Sequence, residues 1–401
     1  MEWQETSEVT EAAIDQAAID QAAFHHAAFD HAAFDHAMMR EIYEQPAALE
    51  RTLEHYVAGG ELHLESFGTA ADCLRQHKDL IISASGSSRH AGLAAEIMLE
   101  DAAGLSVDVE YASEYICRTS NTKRDPAVLV ISQSGETGDT LAALREAKQR
   151  SHPTMAVTNV LSSTMMREAD IALPTLAGVE KAIPATKSFT TQLAVLRLLS
   201  LLAAKARGTS SAEEVRSQIA ALLAVPELIE RQLGVWKDAA RELAEVYKSA
   251  KTLLYLGRGI HYAIAREGAL KLKESSYIHA EGYPTGELKH GPNALVSDEV
   301  PLVVIATVDR SDAESVLRYE KTLSLLADMK AQGAHSIVLG HAGDERLLEC
   351  ASHVIPVEET SEYLLPVCEV VPLQMFAYFM AIANGVDVDR PRNLVKSVVR
   401  E

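Results

Sequence analysis

The sequence predicts an α/β fold built twice, on three observations. Short apolar runs alternate with longer amphipathic stretches, the pattern of parallel strands covered by helices on both faces. The early runs end in turns of glycine and hydroxyl residues. The same order then returns: a shift of 171 residues places Gly86 on Gly257, His90 on His261, Glu96 on Glu267 and Leu99 on Leu270. Each half is expected to be a doubly wound, flavodoxin-like parallel sheet with flanking helices.

Residues 1–37 hold eight carboxylates and no Lys or Arg. Within them, 12–36 form five-residue units: Ala-Ala-Ile-Asp-Gln twice, Ala-Ala-Phe-His-His, then Ala-Ala-Phe-Asp-His twice. Alanine favours helix, but a five-residue period turns about 140° per unit, so the apolar positions spiral without forming a stripe. A frayed helix or a disordered tail is expected. His25, His26, His31 and His36 are the residues there able to ligate a metal, but no metal site is expected. The regular chain is expected from Met38: a helical segment over 38–70, a first α/β domain over 71–210, a helical linker over 211–243 containing Pro226, a second α/β domain over 244–390 and a tail over 391–401.

In the first half, Leu80–Ala84, Ala127–Ser132, Thr154–Thr158 and Ile171–Pro174 read as strands. Ala91–Leu99, Asp139–Lys148 and Thr186–Ala204 read as helices. In the second half, the apolar run Thr252–Leu256 is a strand, Gly257 and Gly259 make a turn, and a helix runs to about Glu274. Pro301–Val308 and Ser336–Gly340 are the counterparts of Ala127–Ser132 and Met155–Thr158. Pro391 is expected to break the last helix.

The chain of 401 residues with 47% apolar content can bury full cores. Cys73, Cys117, Cys350 and Cys368 lack C-x-x-C spacing, which argues for reduced thiols and a cytoplasmic setting, and against zinc. The formal charge of −20 disfavours nucleic acid. No apolar run is expected to span a bilayer, and secretion is not expected, since no basic region followed by an apolar stretch opens the sequence.

Ser132-Gln133-Ser134-Gly135-Glu136-Thr137 follows a buried strand and opens a helix, gathering hydroxyls and free N–H groups into an anion site suited to phosphate. Ser85, Gly86, Ser87 and Ser88 occupy the same place after the first strand. Ordinary helix capping would use the same residue types. The turn has no Gly-Lys-Ser/Thr of a Walker loop, and Gly257-x-Gly259 lacks the third glycine of a nicotinamide site, with Tyr262 in its place; no cofactor is expected. Lys187, at the start of a helix, reads as a surface cation.

Glu267, Lys271 and Glu274 share one helical face. That spacing fits a solvated Glu–Lys ladder or an acid/base face with shifted proton affinities. In the tail, Lys396 reads as an exposed cation or as an amine folded over a pocket and able to form an imine with a sugar carbonyl. Leu394, Val395, Val398 and Val399 would dock that tail.

Three strings occur together: Ser-Gln-Ser-Gly-Glu-Thr at 132–137, Ala-Leu-Lys-Leu-Lys-Glu at 269–274 and Gly-Glu-Leu-Lys-His-Gly-Pro at 286–292. With the tail Asn-Leu-Val-Lys-Ser-Val at 393–398, they resemble the isomerase half of glutamine–fructose-6-phosphate aminotransferase, or glucosamine-6-phosphate synthase, over about 38–401. That half is two sugar-isomerase (SIS) domains. The resemblance implies that Ser132, Gln133, Ser134 and Thr137 hold the sugar phosphate, with Ser87 and Ser88 on the sugar. Ser85, Gly86, Ile183, Ala185 and Glu281 would also line the substrate. Glu274 would move a proton between carbons 1 and 2, and His290, donated across a homodimer, would open the ring. Lys396 would form the Schiff base, assisted by Lys271.

The departures are expectations too. The synthase's glutaminase domain begins with a nucleophilic cysteine. Here residue 2 is Glu and a simple repeat precedes Met38, so ammonia is expected from free solution or from a separate glutaminase. Ser85 replaces a cysteine, and Ala185 stands where the synthase has a ligand-contacting serine. Glu-Lys-Ala-x-x-Ala-Thr-Lys-Ser at 180–188 is more similar to stand-alone SIS-type glucosamine-6-phosphate deaminases. The expected activity is a phosphosugar isomerase/deaminase. The alternatives are the isomerase subunit of the transaminase and a non-catalytic sugar-phosphate regulator.

Overall fold

Two five-stranded parallel sheets carry the chain in the computed structural model, which describes residues 34–118 and 124–399. Most of the repeat over 12–36, including His25, His26 and His31, lies outside the described residues; His36 holds the Tyr378 hydroxyl at 2.9 Å. Helices α1 (Ala37–Tyr43) and α2 (Gln45–Tyr56) lead to a two-residue hairpin, β1 (Val57–Ala58) with β2 (Glu61–Leu62), and to α3 (Ala70–Gln76).

The first sheet follows. β3 (Asp79–Ala84), α4 (Gly86–Ala103), β4 (Ser106–Tyr111), α5 (Ala112–Cys117) and β5 (Ala127–Ser132) come first. Then come α6 (Gly138–Gln149), β6 (Thr154–Thr158), α7 (Thr164–Glu168), β7 (Ile171–Pro174) and α8 (Lys187–Arg207). Spatial order is β4-β3-β5-β6-β7. The connecting helices α9 (Ala212–Leu223) and α10 (Val225–Tyr247) come next. Pro226 sits in the first turn of α10, where a missing N–H is harmless. Trp236 of α10 is buried and donates its indole N–H to Pro356 O at 2.7 Å, tying this segment to the second half.

The second half repeats the plan. It contains β8 (Thr252–Gly257), α11 (His261–Ser276), β9 (His279–Pro284), β10 (Leu302–Ile305), α12 (Ala313–Ala331), β11 (Ser336–Gly340), α13 (Glu345–Cys350), β12 (His353–Pro356) and α14 (Leu365–Ala383). Its order, β9-β8-β10-β11-β12, matches the first sheet. The registers match as well: Asp79 faces Ser106 as Thr252 faces His279. This spacing is two residues longer than the shift that aligns Gly86 with Gly257. The glycine alignment is therefore a local coincidence, and the strand ladder sets the true correspondence.

Burial explains which strands were readable. Every residue of β5, β6 and β10 is buried, as expected of central parallel strands covered on both faces. Helices α8 and α14 are long and apolar enough to cross a membrane, but 89% of each apolar window is buried, so they are core helices. The absence of any membrane-length run needs that correction. Pro391 does not break α14, which ends at Ala383 before Gly385 turns the chain at φ 68°. The four cysteines carry no disulfide.

In each sheet the strand order reverses beside the first strand, which opens a crevice at the carboxyl ends. In the second half that place is filled. His261 lies 2.8 Å from a Glu369 oxygen and 3.3 Å from a Glu362 oxygen, with all three groups buried. Arg318 pairs with Glu362 at 2.8 Å, Thr307 donates to Glu369, and Ser315 donates to Glu362. Burial alone would depress the His261 imidazolium, but Glu369 and Glu362 outweigh it and raise it to about 10. The folded state thus favours the charged form. Its contribution to stability is complete below the ordinary value of 6.5 and is lost as pH rises through about 10. Replacing His261 by Gln should lower the melting temperature most near neutrality and below. The difference from the parent chain should shrink steadily toward alkaline pH in paired thermal melts.

Candidate functional site

In the first half, the two turns that flank the crevice carry hydroxyls. Gly135 takes φ +66°, and a Cβ there would come within 2.1 Å of Ser163 Oγ, so only glycine lets the 132–137 turn close this tightly. Ser132 Oγ is 2.9 Å from Thr137 Oγ1 and accepts from Gly135 N–H at 3.1 Å; Ser134 Oγ accepts from Glu136 N–H at 3.2 Å. Thr137 is the N-cap of α6, yet its hydroxyl does not cap the helix. Ser85, the N-cap of α4, does not cap with its side chain either. Ordinary capping therefore does not account for these two turns. Ser88 is held by the Gln192 amide at 3.1 Å.

Helix α11 faces this crevice. Glu267 and Lys271 are fully buried, which excludes a solvated ladder. Lys271 Nζ lies 2.5 Å from Glu274 Oε2 and 3.5 Å from Glu267 Oε1. Glu267 Oε1 accepts from Ser87 at 2.8 Å, and Glu267 Oε2 lies 2.8 Å from His90 Nδ1, so α11 of the second half is bonded to α4 of the first. Burial would raise the Glu267 carboxyl, but Lys271, His90 and Ser87 outweigh it and hold it below the usual range. Burial would likewise lower Lys271, but Glu274 and Glu267 outweigh it and hold it above the ordinary lysine value. Glu274 keeps 21% of its side chain exposed, unlike Lys271 and Glu267.

The tail returns to the same place. Arg392 N–H donates to the Tyr277 hydroxyl at 2.7 Å, just past the end of α11. Lys396 Nζ reaches Glu180 Oε2 at 2.6 Å and Ala182 O at 2.7 Å. Ser397 Oγ lies 2.9 Å from Ser134 Oγ, and Gly138 N–H donates to Val398 O at 2.9 Å, so the tail touches the 132–137 turn and the helix it opens. Leu394, Val395, Val398 and Val399 are exposed, which corrects their expected docking: polar contacts hold the tail. Burial would raise the Glu180 carboxyl, but Lys396 and the amides of Thr186 and Ser188 outweigh it and hold it at about 2.

One chain of contacts defines the crevice. Ser132 and Thr137 share a turn with Ser134, Ser134 meets Ser397 beside Lys396, and Lys396 pairs with Glu180. The Glu180 charge reaches Lys271, and Lys271 joins Glu274 and, through Glu267, Ser87 next to Ser88. Gln133 and Gly86 lie within its two turns, and Ile183 and Ala185 on the segment after Glu180. Two expected residues stand apart. His290 is exposed at the end of a 3-10 turn, and no hydrogen bond or ion pair among the described residues joins it to the Lys271 group. Glu281 lies on edge strand β9, where Tyr283 and His279 are its neighbours. Lys187 is corrected: it is buried and pairs with Glu44 at 2.5 Å. Sequence reasoning missed Glu41, Glu180, His90 and Ser397 as parts of this site. Replacing Glu267 by Ala should cost about 3–5 kcal/mol, because Lys271 is left charged and buried without one of its carboxylates; urea unfolding measures it.

Comparison with known proteins fits this arrangement. The SIS domain family matches residues 73–202 and 246–384. The isomerizing glutamine–fructose-6-phosphate aminotransferase of Chlorobaculum tepidum is 42% identical over 366 residues, 91% of this chain and 58% of that protein. That of Methanosarcina acetivorans is 41% identical over a matching share. This chain thus spans about 58% of the length of these curated relatives. The C-terminal domain of glucosamine-fructose-6-phosphate aminotransferase from Francisella tularensis superposes with a TM-score of 0.84 at 37% identity, over 90% of this chain and 99% of that one. Glucosamine-6-phosphate deaminase from Thermotoga maritima gives a TM-score of 0.69 at 25% identity, over 90% and 99%.

Proposed function

The chain belongs to the SIS-domain family, and from that premise we propose that it is a phosphosugar isomerase/deaminase: glucosamine 6-phosphate and water are interconverted with fructose 6-phosphate and ammonia. The observation that carries this reading is the convergence of a hydroxyl-lined turn, a terminal amine and a carboxylate–lysine pair on one crevice. Ser132, Ser134 and Thr137 hold the phosphate, and this remote binding energy positions the reacting carbons. The Lys396 amine condenses with the carbonyl at carbon 2 of the ketose, and water leaves. Ammonia then displaces the lysine, which leaves the sugar as an imine. Glu274 carries the proton between carbons 1 and 2, and Lys271 fixes its carboxylate from 2.5 Å. His290, given by a second copy of the chain, opens the ring.

A second reading shares this chemistry: the isomerase part of an aminotransferase, supplied with ammonia from glutamine elsewhere. The higher identity to the aminotransferase domain, 37% against 25% for the deaminase over the same 90% of this chain, favours it. Incubation of the folded protein with glucosamine 6-phosphate should yield equal amounts of ammonia and fructose 6-phosphate; neither product from a folded sample rejects the first reading. Synthesis of the amino sugar from glutamine only when a glutaminase is added supports the second.

The variants follow from the roles. Replacing Glu274 by Gln should lower turnover by about 10²–10⁴-fold with little change in substrate binding, read from steady-state kinetics and a binding isotherm. Thr137→Val removes one hydroxyl from the phosphate and should weaken binding about tenfold or more.

A further inference from the structure

The strap 180–182 that holds the Lys396 amine is itself held from behind. Glu41 of α1 is fully buried, and its Oε1 accepts from Lys181 N–H at 2.5 Å and from Ala182 N–H at 3.4 Å. Its Oε2 lies 3.3 Å from the same Ala182 N–H. The two oxygens that receive the Lys396 ammonium, Glu180 Oε2 and Ala182 O, belong to the residues on either side of those amides. Helix α1 also anchors the root of the tail: Asp389 accepts from Ala37 N–H at 2.7 Å and from Met38 N–H at 2.8 Å, and Asp389 O accepts from Ile183 N–H at 3.2 Å. One short helix thus fixes both the receptor of the lysine and the base of the segment that delivers it.

We propose that Glu41 is a positioning residue for the Lys396 amine: it clamps the backbone of the 180–182 strap and thereby sets where the amine meets the sugar carbonyl. Among the described residues no hydrogen bond or ion pair joins Glu41 to the Lys396 amine, so Glu41 acts through the Lys181 and Ala182 amides. A hydrophobic side chain of similar size would fill the space, but it would leave two amides without their acceptor. The inference rests on reading Lys396 as the imine-forming amine.

The clamp responds to pH. Burial raises the Glu41 carboxyl and the Glu180 charge raises it further; the Lys181 amide, Lys187 and Lys396 oppose them, and the balance stands at about 7. Arg40 on the same helix lies 4.0 Å away. Ionised Glu41 offers both oxygens to the strap, whereas the protonated acid has one proton to place and holds the amides more weakly. The strap is therefore expected to tighten as pH rises through neutrality.

Borohydride trapping of fructose 6-phosphate on the protein, with the labelled peptide located by mass spectrometry, tests this. No label on Lys396 in the parent chain rejects the reading of the lysine, whatever Glu41 does. With the parent labelled, Glu41→Gln should be trapped about tenfold or more slowly above neutrality, should lose the near-neutral rise, and should bind fructose 6-phosphate nearly as well as the parent. Glu41→Asp, which keeps the charge, should recover part of the rate. Trapping of Glu41→Gln at the parent rate and pH profile overturns the proposal, as does an equal loss of binding and trapping. Should Glu41→Gln fail to fold, hydrogen exchange in the parent chain decides. Protection of the peptide carrying the Lys181 and Ala182 amides should increase from below to above neutrality after correction for intrinsic exchange; constant protection overturns the clamp.

Discussion

A carboxylate without access to water ties the two halves together. Glu267 grows from the second half and takes Ser87 and His90 from the first, while Lys271 neutralises it from one turn away. A buried charge of this kind is tolerated only when every neighbour is in place. The angle between α4 and α11 is therefore not free, and with it the distance from the serine turns to Glu274 is fixed. The crevice is a consequence of that junction more than of either sheet alone.

Opposite charges adjoin through the site: Lys271 lies between Glu274 and Glu267 on one side, and Lys396 pairs with Glu180 on the other, while Glu41 behind Glu180 is held by backbone amides. Each group is held by a partner of opposite charge or by backbone donors, so the polar atoms are oriented before any ligand arrives. Fixed dipoles of this kind need little rearrangement during a proton transfer. The tail completes the row through polar contacts and leaves its apolar side chains in water.

Much of the architecture was legible because central parallel strands are apolar on both faces. Ala127–Ser132 and Thr154–Thr158 were read to the residue, and so was the edge strand Ile171–Pro174, whose Ile171, Leu173 and Pro174 are buried as in a central strand. Edge strands β4 and β9 were not, since His279 and Glu281 interrupt the apolar pattern of a strand with one neighbour. The last helix, α14, was expected but its bounds were not read, because Pro372 lies inside it and burial on every side erases its amphipathic period. The serine turn, Lys271, Glu274 and Lys396 were found through local strings. Glu41 lies in no such string, and its meaning arises from a contact with Lys181, 140 positions away; Glu180 lies in the 180–188 string, but only the fold brings it to Lys396.

The filled crevice of the second half has a different kind of consequence. Two clefts of one topology have parted in composition: hydroxyl-bearing turns line the first, and an ion cluster seals the second. Inherited changes at equivalent strand ends would then produce opposite phenotypes. Lesions near Thr137 would yield a sound but sluggish protein, and lesions near His261 a heat-labile one whose surviving molecules work normally.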